Sequence, residues 1–484
     1  MDYSGINTRD SDYTEIYPYL RIVRDAFDGV KGMKKNYKEH LRKWNLEEDE
    51  DYETRAKTIR FHNYFKKSIN DLTNKLFKKD VTIKHNDDEK FKEFLNNVDG
   101  EGNDLNKFLH SVARNSMRDG VSFIWVDATD TGIPFLRMVE REQLINKIFD
   151  IKDGVETLEL VVIEVDIEVR SSQNFFKKDI VKGHYVLTND ECYLEINGNK
   201  NVTWNNKLGY IPIFPIFSSE NEGKFKCDIP LLDLAQENIA HMNKLSSLDN
   251  ILMTAGGPVP VLHTGANLDD YETVTDSYDG TEVKKKTITV GTNKALTFDS
   301  KIEEDFKWVE LEGKSISSIM QDIENSEEYM KNFSVNFSNT AKTAKEVSIT
   351  SQLNSLFLVE IASSLSIALY HIIDAYNDYT GSKVDAEVIL SKDFEEDLQD
   401  ANMVIALSKM EVAGQITKDI LWDKLKRASV LPDFDNEEVK KELDEEEQRL
   451  IREFGAQSSD DLLSIKNKKN DQFNKAGLWV FMMF

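Results

Sequence analysis

The chain has 484 residues, is 40% hydrophobic with only 8 prolines, and carries a formal net charge of −26 at pH 7. This length suits two or more domains or one elaborated assembly subunit, and this composition excludes a disordered scaffold. The acidic balance argues against a dedicated nucleic-acid binder, which would show a basic face, but suits a protein that surrounds DNA without gripping it.

Two cysteines, Cys192 and Cys227, have no motif spacing, so a reducing compartment is expected rather than a disulfide framework. The opening Met-Asp-Tyr-Ser-Gly has neither the basic nor the apolar region of a signal peptide. No apolar run approaches the roughly 20 residues of a membrane span, and no membrane partner is expected. The apolar tail, residues 478–484, is expected to dock on a neighbouring surface.

Residues 15–80 read as helices. From 54 to 79 there are eight Lys/Arg and one Asp, with Ile59, Phe61, Phe65, Ile69, Leu72 and Leu76 at mainly three- and four-residue steps. That pattern predicts a helix with a solvated basic face; a local strip for nucleic acid or an acidic neighbour is the alternative. Residues 97–100 close one helix, 105–118 form the next, Gly120 ends it, and 121–126 read as a buried strand. Residues 155–169 and 184–196 alternate as strands, with Asn197-Gly198 as a hairpin turn. Residues 209–217 are extended, because Pro212 and Pro215 forbid a helix interior. Residues 1–228 thus read as an α+β domain.

A long helix then starts near Pro230 and stops at Gly256-Gly257-Pro258. Residues 259–262, 284–290 and 306–311 are strand-like, and a return helix over 313–333 shows Ile316, Ile319, Met320, Ile323 and Met330 at helical spacing. Two helices with one apolar stripe each must lie on one another or on copies of themselves. A third helix is predicted over 345–379, about 50 Å long. Its small residues Ser355, Ala362, Ser363, Ser364, Ser366 and Ala368 allow close approach of another helix, and Gly381 ends it. A strand over 384–390 and helices over 398–413, 417–428 and 436–454 follow.

The search for chemistry returns negatives. Gly313-Lys314-Ser315 looks like the end of a phosphate loop, but the required earlier glycine falls on Trp308, so Ser315 is expected to begin a helix. The eight histidines show no short metal-ligand spacing, so no metal and no cofactor are expected. Asp433 to Glu438 lacks the Gly and terminal Glu of a calcium loop and reads as a helix start with acids in its first turn. There remains the polar loop 336–345. It is long for a helix connection and contains Asn336, Asn339, Thr340, Lys342, Thr343 and Lys345, with no acid before Glu346. An ordinary solvated connector and an anion-contacting loop both fit it.

Several stretches in order along the chain carry a resemblance: Tyr52-Glu-Thr-Arg55 before Phe61-His-Asn-Tyr-Phe65; Asn97-Val-Asp-Gly100 before the strand Gly120-Val-Ser-Phe-Ile-Trp-Val-Asp127; Ile229-Pro-Leu-Leu-Asp-Leu-Ala-Gln-Glu-Asn238; and Trp308-Val-Glu-Leu-Glu-Gly313. Over roughly 15–430 the chain resembles the portal proteins, or head-to-tail connectors, of tailed double-stranded DNA phages. None of the stretches is a catalytic signature.

The resemblance implies a ring-forming α+β subunit. Residues 1–228 would be the wing, 229–255 and 313–333 the two stem helices, and 256–312 a β-rich clip. Residues 334–345 would be the tunnel loop, 346–394 the long wing helix and a strand, and 395–484 the crown side and tail. It implies a homo-oligomer, usually a dodecamer, at one capsid vertex of the virion, assembled in the bacterial host cytoplasm, with no enzymatic activity of its own. Double-stranded DNA would pass through its channel during packaging and ejection, touching the tunnel loop. The terminase large subunit, and later head-tail adaptor and tail proteins, would dock on the clip, where Lys284, Lys285 and Lys286 stand; the major capsid protein would surround the ring. The alternatives are a capsid-associated scaffolding or coat component and a carboxylate-dependent nucleic-acid enzyme.

Overall fold

The computed structural model describes residues 5–394 except 46, 87, 130, 171–175, 256–258, 265–271, 276–281, 286–295, 300–304, 310–313, 333–343 and 393, and beyond these 408–411, 416–427, 436–437 and 439–441. Contacts divide the chain into two compact units, Met1–Phe394 and Glu395–Phe484. The fold is mixed α+β.

The first unit opens with five helices: α1 (Ser11–Asp28), α2 (Val30–Lys35), α3 (Tyr37–His40), α4 (Asp49–Lys57) and α5 (Tyr64–Leu76). Asp10 starts α1 by accepting from the Tyr13 N–H at 2.6 Å. The single helix expected over 54–79 is two. The chain breaks between Lys57 and Tyr64, where the Asn63 side chain caps α5 by accepting from the Lys66 N–H and donates to the carbonyls of Ala26 and Phe27. A side chain that satisfies backbone groups in a turned conformation competes with helix continuation.

Next come β1 (Thr82–His85), α6 (Glu89–Asn96) and α7 (Leu105–Asp119). Asp104 caps α7 through the Lys107 N–H at 2.8 Å, and Gly120 closes it at φ 89°. Gly120 is required twice: φ is positive, and a Cβ there would collide with the Asp228 carbonyl. β2 (Val121–Ala128) follows, buried over all but its last residue, and pairs antiparallel with β3 (Pro134–Glu140).

The strands β4 (Leu144–Lys152), β5 (Val155–Arg170), β6 (Lys178–Thr188), β7 (Glu191–Ile196) and β8 (Asn199–Asn205) form an antiparallel meander in sequence order. The expected strand over 184–196 is therefore two. Thr188 turns the chain, its hydroxyl donating to the Glu191 carbonyl at 2.6 Å and accepting from the Glu191 N–H at 3.0 Å. Asn197 and Gly198 make the next turn at φ 53° and 82°, as the Asn-Gly pair predicts. β9 (Ile213–Phe217) completes the three-stranded sheet β3-β2-β9.

α8 (Leu232–Ala255) leads to β10 (Val259–Thr264), β11 (Glu272–Thr275), β12 (Glu282–Lys285), β13 (Leu296–Asp299) and β14 (Asp305–Val309), and α9 (Lys314–Asn332) returns. α10 (Ala344–Thr380) and β15 (Ala386–Ile389) close the unit, β15 pairing with β1 so that Thr82 stands opposite Ile389. In the second unit the described helix α11 (Lys418–Arg427) carries Asp419, which meets Lys440 at 2.6 Å.

One large core joins α1, α5, α7, α8 and α10 to β2 and β9. On α10 the residues Leu358, Ile361, Leu365, Ala368, Ile372 and Tyr376 are buried, the three- and four-residue spacing of one helical face. Each such Leu or Ile contributes about 1.5–3 kcal/mol of burial. One of its small residues admits a sheet: Ser364 accepts from the Phe217 N–H on β9 at 2.9 Å, and His371 stacks on Phe214 at 5.4 Å, while Tyr376 meets Phe91 and Phe94 of α6 at 5.0 Å. Within Phe357–Thr380 an 18-residue window has mean hydropathy 1.4, so by length and composition this stretch could cross a membrane. The sequence reading found no such run; in the fold this stretch supplies the core face just described.

Candidate functional site

The out-and-back pair α8 and α9 meets along a seam of mixed chemistry. Glu237, His241 and Lys244 recur at four- and three-residue steps on α8 and meet Asp322, Ser326 and Glu327 of α9. The Ser326 hydroxyl donates to Glu237 at 2.6 Å, and the Lys244 ammonium donates to the Ser326 hydroxyl at 2.6 Å and pairs with Asp322 at 3.0 Å. His241, wholly buried, sets Nε2 3.3 Å from Glu327 Oε1. Tyr64 on α5 also donates to Glu327, and Lys331 reaches it at 3.1 Å. Met242, Leu245, Ile323 and Met330 supply the apolar part.

Burial pushes the His241 imidazole below its ordinary range, against the pull of Glu327. Burial raises the Glu327 carboxyl, but hydrogen bonds from Lys331 and Tyr64 outweigh it and hold the group below the ordinary value. Burial and the Glu327 charge push the Tyr64 phenol up to about 12.

Away from the seam the pair exposes apolar side chains, among them Met253 (75% exposed) on α8 and Met320 (49%) on α9. The body holds α8 through residues that lie in the quoted stretches. Arg55 takes Glu47 with two nitrogens at 2.7 Å each, stacks on Trp44 at 3.8 Å and donates to Ser246 of α8 at 3.0 Å. Asn238 accepts from the Phe65 N–H at 3.0 Å and donates to the His62 carbonyl at 2.8 Å. Of the basic residues in this stretch, Lys57, Lys66, Lys67, Lys78 and Lys79 are exposed, as a solvated face expects, whereas Arg55 is committed inward and Arg60 pairs with Asp249 of α8.

Between α8 and α9, β10 stands between β13, parallel to it, and β14, antiparallel to it, and β11 pairs with β12. Lys284 and Lys285 end β12, opposite Thr273 and Glu272 in register; Lys286 lies outside the described residues. The same is true of Asn336, Asn339, Thr340, Lys342 and Thr343. Lys345 does not belong to the loop. α10 begins at Ala344, a strong helix former with no Gly or Pro after it, which puts Lys345 in the first turn.

A second charged cluster ties α7 to the sheets. Asp119 is fully buried and receives Arg118 at 2.7 Å through two nitrogens and Arg24 at 2.9 Å; Arg24 also meets Glu140 at 2.5 Å and Glu142 at 2.7 Å. Burial raises the Asp119 carboxyl, but the two guanidiniums prevail and hold it below the ordinary range. Arg141 donates to the carbonyls of Asp119 at 2.7 Å and Cys227 at 2.6 Å, tying the end of α7 to the approach to α8.

Cys192 and Cys227 are buried free thiols, both pushed by burial up to about 11. Among the described residues one set of metal-ligand types converges, Asp25, Glu39 and His40, with ligand atoms within 4.8 Å of one another. Each already has a partner: Asn36 donates to both Asp25 oxygens, His40 meets Asp25 at 2.7 Å, and Arg21 meets Glu39 at 3.0 Å. The set reads as a structural junction. Sequence reasoning missed the polar seam, although the 237, 241, 244 spacing was a visible signal of it.

A family model described as a domain of unknown function, DUF4055, matches residues 230–380, the stretch from α8 to the end of α10. No curated protein matches the chain. Solved structures similar to it include the virion of a native gene transfer agent (GTA) particle, at TM-score 0.37 and 11% identity, covering 84% of this chain and 100% of that one. A chain from the neck of an empty GTA particle, computed with C6 symmetry, has TM-score 0.38 and 9% identity over 78% of this chain and 92% of that one. One from the neck of a native GTA particle, computed with C12 symmetry, has TM-score 0.36 and 10% identity over 76% and 90%.

Proposed function

We propose that this chain is the repeating subunit of a closed portal-type ring at one vertex of a phage-like capsid. The observation that carries the reading is the helix pair. α9 buries only Ile323, Ser326 and Met330 among the described residues, all in one stripe. A strand-rich segment separates it from α8, and the pair carries exposed Met253 on α8 and Met320 on α9. Identical pairs set side by side would cover those apolar groups, and a repeated head-to-tail contact closes when its rotation divides a circle. The ordered sequence stretches that resemble portal proteins support the same reading, since two of them hold the residues that fasten α8 to the body.

In this reading residues 256–312 form the clip, where the terminase large subunit and later the adaptor and tail proteins dock beside Lys284, Lys285 and Lys286. Residues 334–345 correspond to the tunnel loop, with Lys342 and Lys345 meeting passing phosphates weakly and repeatedly around the ring. The subunit supplies a low-affinity acidic channel, and ATP turnover belongs to the separate motor. Native mass spectrometry with negative-stain imaging down the axis tests the reading. A closed ring with a central hole is expected; monomer or dimer alone across protein and salt concentrations would overturn it.

A further inference from the structure

Arg137, on the edge strand β3, stands between two cavities of about 440 and 650 Å³, and both are lined by Trp125, Phe135, Arg137 and Tyr185. Its guanidinium is held in place. Nε donates to Asp127 at 2.9 Å, and the central carbon lies 4.8, 5.3 and 5.6 Å from the ring centres of Phe135, Trp125 and Tyr185. Asp127 is itself buried, with its other oxygen on the Ala128 N–H. A guanidinium has five N–H donors in a planar fork. Among the described residues the terminal nitrogens of Arg137 have no acceptor, and the side chain is 41% exposed.

The walls state what could be received. The smaller cavity carries Asp99 and Glu101 against Lys107 and Arg137. Among the described residues the larger is lined by Arg137 and Lys207 against Asp127, a positive lining in a strongly acidic chain. Tyr185 lies edge-on between Trp125 and Trp204, at 5.2 and 6.3 Å, and Leu194 and Val202 extend this apolar wall along β7 and β8. A pre-set planar cation beside an aromatic wall matches a carboxylate flanked by apolar groups. Because the lining continues past Arg137 into the second cavity, the ligand is an extended segment rather than a single group.

We propose that this groove docks a short apolar peptide segment of a partner protein that bears one aspartate or glutamate. The carboxylate takes the free edge of Arg137 bidentately, and neighbouring apolar side chains lie on Trp125, Tyr185 and Trp204. The proposal goes beyond the ring reading and does not rest on it.

The test uses the full chain and two blocked peptides carrying a neutral dye, Leu-Phe-Asp-Phe-Leu and Leu-Phe-Asn-Phe-Leu, followed by fluorescence anisotropy. A charge-assisted contact predicts that the Asp peptide binds about ten- to hundredfold tighter, a preference that shrinks as salt rises. Arg137→Gln should bring the ratio near one. Since that variant also strips Asp127 of its cation, Val202→Glu, at a position 54% exposed, gives an independent reading: its lost apolar contact weakens both peptides alike, while its carboxylate repels only the Asp peptide, so the Asp-over-Asn ratio should fall several-fold. Equal affinity for the two peptides, binding of neither at millimolar concentration, or a preference undiminished by Val202→Glu would overturn the proposal.

Discussion

The junction of α7 with β2 and the seam of α8 with α9 both bury charge, and they do so on different terms. At the junction Asp119 is sealed from solvent and each oxygen meets a guanidinium. At the seam Glu327 is partly open, shared among a histidine, a tyrosine and a lysine, and Nδ1 of His241 has no partner among the described residues. The first arrangement has one stable protonation state and one geometry. The second can exchange partners. A fixed body and an adjustable helix pair are thus written into the same kinds of side chain by how completely each acid is paired.

The comparison breaks first at Asp119. Asp119→Asn leaves Arg118 and Arg24 facing a neutral group in a dry site, and loss of one partner of a buried pair costs about 3–5 kcal/mol. Urea denaturation followed by tryptophan fluorescence should show a loss of that size; a change below about 1 kcal/mol would mean that Glu140 takes over the role.

A smaller effect on stability, with a large one on assembly, is expected from Met253→Asp combined with Met320→Asp. Both positions are exposed, so folding should shift by about 0.5 kcal/mol or less. The particle size by native mass spectrometry should fall instead. An unchanged oligomer would place the subunit contact elsewhere.

The smallest effect sharpens the seam itself. The folded His241 value lies below its ordinary 6.5, so the stability it contributes is present above that value. That stability is lost as the pH falls through 6.5 towards the folded value, because the unfolded chain takes a proton that the buried ring refuses. Glu327, also held low, adds a loss of the same sign at more acidic pH. Amide exchange in α9 should therefore speed up on acidification once corrected for intrinsic rates, and His241→Gln should flatten the trend. A pH-independent protection in the unmodified protein would show that the seam does not titrate.

Much of the architecture was legible because its signals are local. Gly120 closes α7, Asn197-Gly198 sets a hairpin, and the apolar spacing through Ile361, Leu365, Ile372 and Tyr376 announces a long helix. Where the reading failed, a side chain had made a local bond that composition does not reveal. Asn63 capping α5 splits a pattern that looks continuous, and the Thr188 hydroxyl folds an alternating run into two strands. The small residues of α10 declared a close neighbour without saying which, and at Ser364 that neighbour is the β9 strand. The seam needed two elements some 80 residues apart, so only its α8 half could be read. The Arg137 groove left less trace still, since Trp125, Tyr185 and Trp204 come from three separate strands.

The bridge made by Arg141 has a mechanical consequence. One guanidinium grips the last carbonyl of α7 and the carbonyl of Cys227, and Gly120 lets the backbone at Asp228 lie directly against it. The foot of α8 is thereby bolted, not hinged. A pull on that helix would therefore be felt first where β2 begins, the strand that pairs with both β3 and β9.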